Sequence, residues 1–130
     1  MTRTRPKDPL LDEGLELITS RLEVGERAVP LVITERCGDR RVEADGTEGL
    51  ESARAQFRDL VRRMAGNERC ALVHLAPVGL GEDAIVIEVA GPGAREAEVF
   101  VQWFRPKRGR LRGFRLIGEL AKGGTLDWAA

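Results

Sequence analysis

The sequence lacks tyrosine and has only one histidine and two cysteines, so few residues are present that could form a metal site or a disulfide framework. A zinc site needs three or four convergent ligands, and one histidine with two scattered cysteines argues against one. Two cysteines without a CxxC motif do not make a disulfide framework either, and we expect both thiols to be free and buried. We therefore predict that the protein holds no metal and no cofactor.

Long apolar runs are also missing. No segment approaches the roughly 20 apolar residues that a membrane-spanning helix needs. The charged start, with Arg3, Arg5 and Lys7, is not followed by the apolar run of a secretory signal. We expect a cytoplasmic protein that does not bind membranes.

Charge is balanced overall, with 21 basic and 21 acidic residues, so the average favours neither a nucleic-acid binder nor an acidic protein. Only three of the 21 basic residues are lysine, a bias that is typical of a GC-rich bacterial genome or of a warm habitat. Apolar residues make up 42% and charged residues 32% of the 130, the balance of a single folded domain. We expect a mobile arm over 1–8, one α+β domain over 9–121 and a C-terminal tail over 122–130.

Two segments have helical periodicity. Asp8-Pro9 is a typical helix start, a capping acid followed by proline, and leucine or isoleucine recurs at 11, 15, 18 and 22. A second apolar stripe follows a capping box at 45–48. The patterns predict helices over 9–23 and 47–65.

Six segments have the composition of strands. Valine and isoleucine cluster at 28–36, and after a turn at 37–39 the chain returns over 40–44. Four more strands are predicted over 69–77, 83–91, 96–105 and 111–119, joined by short turns that favour antiparallel pairing. The fold class is α+β, a mostly antiparallel sheet of five to six strands with two amphipathic helices in the order α-β-β-α-β-β-β-β.

Several of these strands are apolar on both faces. Ile85, Ile87 and Val89 alternate with Ala84 and Val86, where a sheet with one wet face would alternate apolar with polar. Either the two helices cover opposite faces or a partner covers one. On this basis we predict a homodimer.

His74 is the one histidine, in the apolar run 71–76. The first interpretation is a buried histidine bonded to backbone. The alternative, a thiol site with Cys37 or Cys70, needs contacts that a strand does not give, since Cys70 lies four residues, or about 13 Å, away along the strand. The glycines lead into strands and not helices, and Ser20 and Ser52 stand in no nucleophile motif. We predict that the protein is not an enzyme.

A dense basic segment is the strongest departure from a random pattern. The residues that we select as candidate contacts for a partner or for nucleic acid are Trp103, Arg105, Lys107, Arg108, Arg110, Arg112 and Arg115. Cations interleaved with aromatic side chains hold phosphates and stack on bases, whereas arginines on an edge strand also prevent aggregation. Trp128, near the end of the sequence, is a candidate docking anchor.

The functional hypothesis from sequence is a small bacterial protein-interaction module that self-associates and binds another protein. One alternative is a nucleic-acid-binding accessory protein that uses the basic 105–115 hairpin. A second is an immunity or antitoxin protein.

Overall fold

The computed structural model describes residues 8–23, 30–44, 49–79, 82–106 and 114–127. Two helices and six strands occur in the predicted order, which confirms the α+β class. They are α1 (Pro9–Glu23), β1 (Leu31–Arg36), β2 (Asp39–Ala44), α2 (Leu50–Arg63), β3 (Arg69–Gly79), β4 (Glu82–Ala90), β5 (Glu96–Pro106) and β6 (Phe114–Asp127).

The strands form one antiparallel sheet with the order β2-β1-β3-β4-β5-β6. The β1–β2 hairpin occupies one end and the β3–β6 meander the other, and β1 joins the two parts by pairing with β3. β2 and β6 are therefore the edge strands.

Helix α1 has the predicted bounds, and its start is fixed by polar contacts. The Leu10 amide donates to Asp8 Oδ1 at 3.1 Å, so Asp8 caps the helix as its sequence position indicates. The Arg69 guanidinium of β3 holds the same carboxylate at 2.8 and 2.9 Å and also reaches Glu35 Oε1 of β1. These contacts fasten the N-terminus of α1 to the sheet.

The two helices cover opposite faces of the sheet, which was one of the two alternatives set by the strand pattern. The α1 side has a core that includes Leu10, Ile18 and Phe104. The α2 side has a separate core that includes Phe57, Val61 and Leu72. β1 and β3 are apolar on both faces because each of their faces carries a helix.

Helix α2 runs from Leu50 to Arg63, within the predicted 47–65. Its N-cap is Gly49, with a φ of 105° and no side-chain cap. The predicted capping box at 45–48 lies outside the described residues.

Strand β6 differs most from expectation, because it continues to Asp127 where the sequence predicted an end at 119. The glycine pair 123–124, in the segment predicted as a C-terminal tail, lies within this strand. The register with β5 shifts twice, and Gly118 takes a φ of 71°, which favours glycine. The Gln102 amide, 2% exposed, donates to the Ile117 and Gly118 carbonyls at 3.3 and 3.2 Å and so holds the irregular segment.

Candidate functional site

Among the described residues, no helix covers one half of the sheet face on the α2 side. Helix α2 packs on β1 and β3, while β4, β5 and β6 extend beyond it. Directly opposed residues of antiparallel strands share a face, so the register assigns the side chains to this side. We call this surface the open half-face; its members are Val86, Val99, Val101, Trp103, Ile117, Ala121 and Leu126.

Trp103 is the most prominent side chain of the open half-face. It is 39% exposed, opposite Ile117 on β6 and two residues from Val101 on its own strand. At the other end of the surface, Leu126 is 36% exposed. The same β-branched and aromatic residues that favour the strands here also leave apolar side chains in water.

The basic hairpin joins this surface at one end. Arg105 follows Trp103 on the same side of β5, and the register places Arg115 directly opposite it on β6. A recess of about 360 Å³ lies beside Arg105, Leu116, Ile117 and Gly118. The register thus brings two basic residues to the same end of this surface.

The remaining selected residues of the hairpin fall outside the described part of the chain. They are Lys107, Arg108, Arg110 and Arg112. Trp128 is also outside it, so its role as a docking anchor stays a prediction. The structure thus brings together Trp103, Arg105 and the backbone of Arg115.

A buried polar cluster that the sequence did not predict lies where α2 meets the open half-face. Glu88 of β4 is 2% exposed, and its Oε2 accepts from Arg54 Nη2 of α2 at 2.8 Å. His74 Nε2 of β3 lies 2.9 Å from the same oxygen, a contact that places a proton on Nε2. One carboxylate therefore links α2 to two strands.

The expectation of a backbone bond for His74 is wrong, since its partner is the Glu88 carboxylate. The reason is topology: β3 and β4 are paired, and both residues point to the α2 side. Among the described residues, His74 Nδ1 and Glu88 Oε1 have no hydrogen-bond partner. Because His74 is only 8% exposed, the arrangement binds α2 to the sheet and gives a substrate little access.

The two thiols differ from each other. Cys70 is buried in the α2-side core, and burial raises the pKa of its thiol to about 12. Cys37 is exposed in the β1–β2 turn at a φ of 52°, so the expectation that both thiols are buried is wrong for Cys37. A turn position on the hairpin tip leaves it nothing to pack against.

Two further findings concern the described residues as a set. They include no group of three or more histidine, cysteine, aspartate or glutamate side chains that could hold a metal ion. Neither described helix has the length and apolar character to cross a bilayer. Comparisons with models of protein families, with curated proteins and with solved structures gave no match.

Proposed function

We propose that this protein is a non-catalytic interaction module that docks through the open half-face and self-associates there. The observation that carries the proposal is the exposure of Trp103 in a surface whose other members are all apolar. Soluble monomers rarely expose a contiguous apolar patch of several hundred Å². Tryptophan is also among the residues that contribute most to binding energy at protein interfaces.

The physical driving force is the removal of apolar area from water, about 25 cal/mol for each Å² buried. The open half-face gains from this without changing the fold, because β4, β5 and β6 already hold its side chains in place. Preformed strands lose little conformational entropy on docking, which favours binding.

Light scattering from low to high micromolar concentration tests the proposal. We expect the mass of the native protein to rise from monomer to dimer and Trp103→Lys to stay monomeric, because a lysine puts a charge in the apolar contact. The matched control is Val42→Lys: Val42 is 44% exposed on β2, at the other edge of the sheet. A native mass that stays monomeric throughout, or an equal effect of both variants, would contradict the proposal.

A second candidate function is the binding of single-stranded nucleic acid, supported by the register that puts Arg105 and Arg115 opposite each other beside Trp103. Phosphates would neutralise the arginines while the indole stacks on a base. Fluorescence anisotropy with a labelled oligonucleotide tests it. Binding should fall steeply with salt and weaken in Arg105→Glu; salt-independent binding or none would remove this candidate.

A further inference from the structure

We infer that the open half-face is occupied by a second copy of the chain, packed face to face about a two-fold axis parallel to the strands. This inference rests on the proposed function and adds the geometry of the complex. It follows from the position of α2 on the sheet, from the area available and from the distribution of charge.

Helix α2 makes a step on the sheet. An α-helix is about 10–12 Å across, and two sheets pack about 10 Å apart, so a second sheet fits beside α2 in the same layer. The floor of this step is the open half-face and its wall is the side of α2 that faces β4. Arg54, which reaches Glu88 on β4, identifies that side.

The step selects one symmetry. Rotation about an in-plane axis perpendicular to the strands would place the second α2 over the first, and the helices would collide. Rotation about an axis parallel to the strands puts the two open half-faces together, with each α2 beyond the partner's β6 edge. In that arrangement β5 lies over β5 of the partner, and the α2-side residues of β5, such as Val101, face their own symmetry mates.

The area indicates how much of the interface the floor supplies. Three strands about 4.8 Å apart and about 25 Å of strand length give roughly 350 Å² in projection. A standard interface buries about 800 Å² on each partner. The floor is therefore close to half of such an interface, and the rest comes from the wall of α2 against the partner's β6 edge. We expect micromolar affinity.

The wall has its own chemistry. Arg54, Arg58 and Arg62 recur at i, i+4 and i+8, so they follow one side of α2. In the proposed arrangement they lie along the partner's edge strand, where Glu119 provides opposite charge. The contact covers a 14-residue edge strand that would otherwise offer its backbone to other chains.

The charged residues of the proposed interface also predict how salt affects the stability of the dimer. The floor consists of apolar side chains, and Arg105 at its end comes near its own mate across the axis. Salt screens both this repulsion and the attraction between the wall and the partner's edge strand, so the dimer should depend little on salt, whereas nucleic-acid binding weakens steeply as salt rises. The two proposed occupants of this surface therefore differ in how strongly they respond to salt.

Cross-linking of a single engineered thiol tests the geometry. Val101→Cys, in a Cys37→Ser background, is treated with a short bis-maleimide, and Val42→Cys in the same background is the control for random collision. We expect a covalent dimer for Val101→Cys, with a yield that changes little with salt, and several-fold less for Val42→Cys. Val99→Cys, on the same side of β5, should behave like Val101→Cys and replaces it if that variant does not fold.

The outcomes separate the two proposals. A dimeric mass by light scattering without cross-linking at Val101 or Val99 would overturn the geometry and leave the proposed function standing. A monomeric mass at every concentration would overturn the proposed function itself. A dimeric mass with cross-linking on β5 and little at Val42 supports both.

Discussion

Replacing Arg54 by methionine should destabilise the protein by about 2–3 kcal/mol. Removing one partner of a buried ion pair typically costs about 3–5 kcal/mol, because the other charge is left buried. A cost just below this range is expected here because the side chain of Arg54 is 24% exposed, whereas that of Glu88 is only 3% exposed. Glu88 keeps its contact with His74, but one strong donor to its carboxylate is lost.

Urea unfolding followed by circular dichroism measures this cost, and a double-mutant cycle assigns it. In a Glu88→Gln background the carboxylate is gone, so Arg54→Met should cost less than about 1 kcal/mol. The matched control is Arg62→Met, a change of the same type on the exposed part of α2, with an expected effect within about 0.5 kcal/mol. An equal cost of Arg54→Met in both backgrounds would refute the reasoning.

Three further predictions concern the rest of the fold. Hydrogen bonds from Arg69 lower the pKa of Asp8 below its usual 3.8, so the ionised carboxylate stabilises the native state at neutral pH and this contribution is lost as pH falls through the lowered pKa. Asp8→Asn keeps the cap but removes the charge, so the variant should have a lower free energy of unfolding in urea than the native protein at neutral pH, and the two values should converge in acid. A difference that stays constant with pH would contradict this. Gly14→Ala should destabilise the protein by about 1 kcal/mol in thermal unfolding, because the new Cβ would lie 2.9 Å from a valine methyl of β3 and this strain exceeds the gain in helix propensity. A variant more stable than the native protein would show that α1 can move away from the sheet. A thiol reagent at pH 8 should modify Cys37 and leave Cys70 unmodified until the protein unfolds, because burial holds the pKa of Cys70 at about 12. Rapid modification of two thiols per folded chain would contradict the buried position of Cys70.

Local patterns were enough to predict the elements of this fold. The bounds of α1 follow from a capping acid, a proline and a regular apolar spacing, all of which are short-range signals. The extension of β6 through Gly123 and Gly124 is a long-range effect, since pairing with β5 holds residues that local patterns assign to a C-terminal tail.

The candidate surface could be predicted in part and the polar cluster could not. Trp103 and Arg105 were selected from composition, and the register places both on one side of the sheet. Arg54 and Glu88 are 34 residues apart, and no spacing rule joins them. The one available signal was Glu88 itself, a lone acid within the apolar run Ala84–Ala90, since such residues are seldom buried without a partner.

The environment of Trp103 at rising protein concentration tests the central claim most directly. In a Trp128→Phe variant, Trp103 is the one remaining tryptophan, and its fluorescence reports on the open half-face alone. We predict that the emission shifts to shorter wavelength as the mass measured on the same samples rises to that of a dimer. An emission that stays at the wavelength of a half-exposed indole while the mass doubles would show that the chains meet elsewhere.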